Sequence, residues 1–194
     1  IRVLDLAPGA GDDPIRCSLS QQPLKGPESY EAVSYVWGDA NRPHNIICNW
    51  RVPMIYDNDY ALMAPNKVTD NFKVTDNLHK LLRHLRSPDE SRRLWIDQIC
   101  INQDDEAEKG GQIRMMAEIY AGASRVVIWL ALDPRPVDIE EICHDMVHFD
   151  SFRHLNHFLE NTPWFRRAWT FQESVMGREA IVVYEDWTRS WDVL

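Results

Sequence analysis

The chain is poor in cysteine: Cys17, Cys48, Cys100 and Cys143 are scattered through 194 residues, with no CxxC pair. That excludes a short disulfide framework and gives the expectation of a reduced, cytoplasmic protein. Cys100 lies in an apolar run, where a small buried hydrophobe belongs. No apolar stretch approaches the roughly 20 residues that span a bilayer, and no signal-peptide pattern opens the chain. A membrane role is therefore not expected. An excess of positive charge is missing too: 21 basic against 30 acidic residues leave a net charge of -9. The electrostatic footprint of a nucleic-acid-binding protein is absent at the global level. There is no P-loop, GxGxxG, GxSxG or HExxH pattern, so the common signatures of nucleotide, serine-hydrolase and zinc-protease chemistry are lacking. His144 and His148 stand four apart, with His154 and His157 nearby. HxxxH without a glutamate motif or cysteine cluster reads as solvated histidines, and no metal is expected.

What is present is an ordinary globular composition, 44% hydrophobic and 26% charged. The length suits one domain with a full core. The chain starts at Ile1 and stops soon after a tryptophan-rich stretch, which gives the expectation of a fragment of something larger. Arg2 to Leu6 and Ile15 to Leu19 read as strands around a Pro/Gly/Asp loop, a hairpin appended at residues 1–27. Tyr30 to Val36 alternates as a strand and ends at Trp37-Gly38-Asp39, a tight turn that glycine permits. Ile46-Ile47-Cys48 and Arg51-Val52-Pro53 suggest a second hairpin, turning at Asn49 and Trp50. Val-Thr-Asp-Asn occurs at 68–71 and again at 74–77. The first copy reads as loop. The second starts a helix capped by Thr75 or Asp76, with Leu78, Leu81, Leu82 and Leu85 along one face.

Arg93-Leu94-Trp95-Ile96-Asp97-Gln98-Ile99-Cys100-Ile101 begins as a nearly continuous apolar strand, as expected where both faces are covered. Asp105-x-x-Glu108 offers a capping box for the next helix. Ile113, Met116, Ala117 and Tyr120 supply its buried face, and Gly122 ends it. Ser124 to Leu130 is another buried strand. Residues 134–160 contain helical pieces of uncertain extent, and Ala180 to Tyr184 is a further strand. Strands alternating with helices predict an α/β fold: a largely parallel, flavodoxin-like sheet flanked by helices over residues 28–194. Ligands in such sheets collect beyond the carboxyl ends of the strands, which directs attention to Ser34 to Asp39 and Asp97 to Gln103.

The stretch from Trp164 to Glu173 carries the strongest site signal. Thr162 can cap a helix there, and Pro163 suits its first position. Trp164, Ala168, Phe171 and Val175 then form a core-facing stripe, while Phe165, Trp169 and Glu173 make a second line one step around. A carboxylate beside an aromatic surface at the edge of a buried face is desolvated, which raises its pKa. Glu173 is the candidate catalytic acid or base. The bland alternative is a surface glutamate paired with Arg166, Arg167 or Arg178. Tyr35, Trp37 and Gly38 can stack a ring and admit a phosphate, or simply cover the core beside a turn. Ser34 either orients a ligand hydroxyl or satisfies backbone. Asp97 either binds a sugar hydroxyl or holds the turn amides that follow it. A phospho-receiver would need an acidic pair and a late lysine, and no convincing set is present.

Three blocks together resemble the HET (heterokaryon incompatibility) domain of fungi. They are Tyr30 to Asp39, Leu94 to Gln103 with its continuation to Leu130, and Trp164 to Glu173. The resemblance covers roughly residues 28–191 and implies one HET-type domain over 1–194. Such domains serve nonself recognition and the programmed cell death that follows hyphal fusion, and are regarded as distant relatives of TIR domains. Two echoes of the latter are visible. Tyr30 to Tyr35 resembles the first TIR strand, and Trp169-Thr170-Phe171-Gln172-Glu173 resembles the pattern Trp-Cys-x-x-Glu, with Thr170 in place of cysteine. Gly110-Gly111 and Ala131 also depart from the family's usual charged pair and glycine. The glutamate of that pattern is catalytic in TIR domains that cleave NAD, and it maps onto Glu173. The resemblance thus implies NAD as substrate and no cofactor; the residues read above as lining the site, Ser34, Tyr35, Trp37, Gly38, Asp97 and Trp169, are then expected around it. It equally implies a rival: a non-enzymatic adaptor that signals through self-association or contacts with other incompatibility proteins.

Overall fold

The computed structural model describes residues 1–26, 28–50, 55–57, 60–62, 67–130, 160, 162–184 and 187–191. In chain order the strands are β1 (Arg2–Leu6), β2 (Arg16–Gln21), β3 (Glu31–Tyr35), β4 (His44–Trp50), β5 (Ile55–Asp57), β6 (Tyr60–Leu62), β7 (Lys67–Val74), β8 (Arg92–Trp95), β9 (Arg125–Trp129), β10 (Ala180–Tyr184) and β11 (Trp187–Ser190). Helix α1 (Asp76–Leu85) precedes β8. Helices α2 (Asp97–Cys100) and α3 (Glu106–Gly122) lie between β8 and β9. A 3-10 turn (Pro163–Arg166) and α4 (Ala168–Met176) precede β10.

Nine strands form one sheet in the order β11-β10-β9-β3-β8-β1-β2-β4-β7, with β5 and β6 as a separate hairpin. The fold is α/β, but the sheet is mixed. Parallel pairing joins β8 to β3, β3 to β9, β9 to β10 and β2 to β4. Antiparallel pairing joins β10 to β11, β8 to β1, β1 to β2 and β4 to β7. The N-terminal hairpin forms, with Leu4 opposite Leu19, yet it is no appendage. Leu4 also pairs with Leu94 of β8, so β1 sits inside the sheet and ties its parallel part to the β2-β4-β7 part. Val3, Leu4 and Leu6 are accordingly buried, apolar on both faces rather than alternating.

Local chemistry accounts for the elements that match expectation. Thr75 caps α1, its hydroxyl accepting from Leu78 N–H at 3.3 Å. Asp76 in the first turn and Arg83 and His84 in the last suit the helix dipole. Leu78, Leu81, Leu82 and Leu85 are all buried. Val126, Val127 and Ile128 of β9 are buried without alternation, as a strand covered on both faces requires.

Other segments differ, and each difference has a tertiary cause. The first Val-Thr-Asp-Asn copy lies in β7, where pairing with β4 overrides its polar, loop-like composition. Asn49 and Trp50 are paired residues of β4 rather than a turn; residues 51–54 lie outside the described residues. Asp105 does cap α3, accepting from the N–H groups of Ala107 and Glu108 at 3.0 Å. Glu108 does not close a capping box: it accepts instead from Asn102 N–H at 2.9 Å and pairs with Arg2. On α3 only Ile119 and Tyr120 are buried, and Ile113 is 45% exposed: it is the C-terminal end that bonds to the β3 region, the Ile119 carbonyl accepting from Tyr30 and the Tyr120 hydroxyl donating to the Val33 carbonyl. Glu173 lies on a shorter helix than expected. Arg167 is extended (φ -92°, ψ 128°), so the 3-10 turn and α4 are separate segments with independent phases. The stripe drawn through Trp164 and Val175 is therefore broken: Trp164 is buried, whereas Val175 is 56% exposed. The candidate helices and histidines of residues 134–159 lie outside the described residues.

Candidate functional site

The carboxyl ends of β3, β8 and β9 point the same way, since these strands are parallel neighbours. The chain runs from β3 to β8 on one side and later returns to β9 on the other. This reversal of strand order is where α/β sheets open a crevice. The residues at that edge are Ser34 and Tyr35 at the end of β3, Asp97 just beyond β8 and Trp129 at the end of β9.

On the α4 side, Thr170, Glu173 and Ser174 are buried, a spacing of three and four residues that defines one helix face. That face packs against β3. Glu173 is only 4% exposed, and its Oε2 accepts a hydrogen bond from Ser34 Oγ. Trp164 from the 3-10 turn donates its indole N–H to the same Ser34 oxygen at 2.8 Å. Because an indole can only donate, it leaves the serine hydroxyl free to give its single proton to Glu173. Thr170 ties the break together by donating to the carbonyl of Arg167 at 2.7 Å or of Trp164 at 2.9 Å. Arg167 donates from Nη1 to the Tyr35 carbonyl, which fastens the break to the end of β3. From α3, the Tyr120 hydroxyl sits 3.2 Å from the Val33 carbonyl and faces Glu173 as well.

A second carboxyl stands nearby. Asp97 Oδ2 accepts from the Trp37 indole at 2.8 Å, and Oδ1 from Gln98 N–H at 2.7 Å. Its backbone carbonyl accepts from Gln103 at 2.9 Å. The Tyr35 hydroxyl is buried against Asp97 but makes no hydrogen bond of good geometry. Gly38 follows Trp37 with φ +76°, a conformation that strains any residue with a Cβ.

Burial dominates the electrostatics. It pushes the Glu173 carboxyl above the usual carboxylate range; Asp97 adds to that, while the Ser34 hydrogen bond, the Arg167 charge and Tyr120 oppose it. Asp97 keeps some accessible surface, yet burial of its carboxyl is again the largest influence and raises its pKa. Its contacts with Trp37, Gln98 and Tyr35 and the charge of Arg167 pull the other way. Tyr35 and Tyr120 are raised well above the ordinary tyrosine value, first by burial and then by the carboxyls beside them. Two buried carboxyls and one guanidinium at a strand edge have the elements of an acid–base site. Among the described residues, no group of three or more His, Cys, Asp or Glu side chains is arranged to hold a metal ion.

Of the residues singled out in the sequence, Ser34, Tyr35, Trp37, Asp97 and Glu173 come together at this edge, with Gly38 in the adjoining turn. Trp169 does not join them. It is 57% exposed in the first turn of α4, whereas Glu173, one turn further along the same helix, is buried with Thr170 and Ser174. Trp164 and Tyr120 belong to the cluster without having been recognised as site residues. A buried indole needs an acceptor, which was the available signal for Trp164. Arg167 was named only as one of three charge partners of a surface glutamate; here it acts on Glu173 while the glutamate is buried.

The fold and this edge define an α/β domain with a buried carboxylate cluster at the carboxyl ends of parallel strands. The family model described as Heterokaryon incompatibility protein (HET) matches residues 30–173, a span that runs from the start of β3 to Glu173 itself. The chain belongs to this family. It is 43% identical over 136 residues to "Heterokaryon incompatibility protein 6, OR allele" of Neurospora crassa. That alignment takes in 67% of this chain but only 18% of the relative, so the chain spans less than a fifth of that protein's length. No solved structure matches the chain.

Proposed function

We propose that this domain acts in heterokaryon incompatibility by hydrolysing NAD at the nicotinamide–ribose bond, and so triggers programmed cell death. The observation that carries the chemistry is the buried Glu173 carboxyl, aimed at Ser34 at the end of β3. Departure of nicotinamide leaves positive charge on the ribose, and a desolvated carboxylate stabilises it far better than one in water. Water then adds to the ribose carbon, nicotinamide leaves with the electrons of the broken bond, and one proton is released. The leaving group already carries positive charge, so the reaction needs no metal. In this reading Asp97 and Ser34 position ribose hydroxyls, while Tyr35, Trp37 and Gly38 shape the nicotinamide end.

A finer fold assignment supports it. Taken alone, β3, β8, β9 and β10 are parallel, and their order β8-β3-β9-β10 is the start of the flavodoxin-like 2-1-3-4-5 arrangement. We read this part as TIR-related, within a single HET-type domain in the cytoplasm. No helix among the described residues is long and apolar enough to cross a membrane.

The rival reading, an adaptor that signals by self-association, draws on one observation: Trp169, Val175 and Met176 leave a large apolar part of α4 exposed. The test is incubation of purified domain with NAD, alone and after forced oligomerisation, with nicotinamide release as the readout. Glu173→Gln is expected to lower release by at least about a hundredfold. Release unaffected by that change removes Glu173 from the mechanism. No release in either state favours the adaptor.

A further inference from the structure

We propose that Arg167 is the positioning residue of this site: pinned to the Tyr35 carbonyl, it lends its charge to both Glu173 and Asp97 and thereby sets how readily Glu173 ionises. The idea rests on the reading of Glu173 as the reacting carboxylate, which must be charged to act, but its test does not depend on turnover.

Three observations support it. The extended backbone at Arg167 separates the 3-10 turn from α4 and places this side chain at the end of β3 instead of on a helix surface. Its hydrogen bond to Tyr35 fixes the guanidinium beside the two residues whose side chains meet the carboxyls, Ser34 at Glu173 and Tyr35 at Asp97. It is also the shared cation of the pair, attracting the charged form of each. The other groups facing Glu173 are Ser34 from β3, Tyr120 from α3 and Asp97 from α2. Among the described residues, Arg167 is the group acting on Glu173 that brings positive charge. Ser34 and Tyr120 are neutral donors, and Asp97 opposes ionisation whenever it is itself charged. One cation acting on two desolvated carboxyls favours a state with one of them charged and the other protonated, the usual division between a working carboxylate and a proton carrier.

The experiment is a carbon-13 NMR titration of glutamate-labelled protein, with the Glu173 carboxyl signal assigned from its loss in Glu173→Gln. Arg167→Gln is expected to raise the Glu173 midpoint by about one pH unit or more, which makes the ionised fraction about tenfold smaller at any pH below it. Arg167→Lys should stay near wild type, since it keeps the charge. A midpoint unmoved in Arg167→Gln overturns the proposal, and so does a shift in Arg167→Lys as large as in Arg167→Gln. If Arg167→Gln does not fold, Arg167→Met, neutral and of similar length, decides: a Glu173 midpoint that stays at the wild-type value overturns the proposal. Nicotinamide release followed in parallel should show the acid limb of the pH–rate profile moving with the titration. If wild type releases none, the hydrolase reading fails on its own, while the titration still judges Arg167.

Discussion

Glu173 and Asp97 are held where burial favours their protonated forms, and a fold that keeps them there sacrifices stability at neutral pH. The sign follows from linkage. A carboxyl whose folded pKa is raised binds its proton more tightly in the native state, so its stabilising contribution is complete below the unfolded value. That contribution is lost as pH rises through the raised folded value. Glu173→Gln and Asp97→Asn, which remove the charge but keep an acceptor for Ser34 or Trp37, should therefore stabilise the domain at pH 7.5 and lose this advantage at pH 4. Urea midpoints for the two variants and wild type at both pH values provide the check; an advantage that grows toward acid contradicts the burial argument. Glu173 was legible in the sequence as a carboxylate at the edge of a buried face, but not its neighbours. The sequence periodicity set it beside Trp169, whereas Ser34 and Tyr120, distant in the chain, form its surroundings.

Among the elements, α4 depends on both of its ends. At the start, Arg167 leaves helical geometry, and the resulting shift of phase decides that Glu173, not Val175, faces β3. At the end, Gly177 lies against β9, and a Cβ there would come within 2.5 Å of Val126 Cγ2 and 3.3 Å of the Glu179 carbonyl. Val126 is fully buried in the middle of the parallel strands and has one stiff rotamer to move. Gly177→Ala is expected to cost about 1–3 kcal/mol through overpacking. Thermal unfolding should show the loss, and restored stability in the double variant with Val126→Ala would identify that contact as its cause. Helix α1 was readable because its cap, charges and leucine stripe are all local. Neither the break at Arg167 nor the strand at β7 was, since each is imposed by what it packs against.

For the whole molecule, the decisive feature is that β1 lies between β8 and β2. A β appendage could be removed and leave the domain folded. Here, removal of residues 1–22 would strip Val3, Leu4, Leu6, Ile15, Cys17 and Leu19 from the core and expose the edges of both β8 and β4. At about 1.5–3 kcal/mol for each large buried apolar side chain, the loss is comparable to the roughly 5–15 kcal/mol that stabilises an entire domain. The truncated chain should lack near-ultraviolet circular dichroism and a cooperative thermal transition. Retention of both would mean that the hairpin is an accessory after all.

What the sequence determined alone was the α/β class, most of the strands and helices, the family blocks and the types of residue at the site. These rest on periodicity, capping and turn chemistry, which act over a few neighbouring residues. The tertiary structure decided the direction of strand pairing, the inclusion of β1 in the sheet, the outward turn of Trp169 and the grouping of Ser34, Tyr120, Arg167 and Glu173. Those outcomes depend on contacts between residues far apart in the chain, whose free energies exist only once the sheet has assembled.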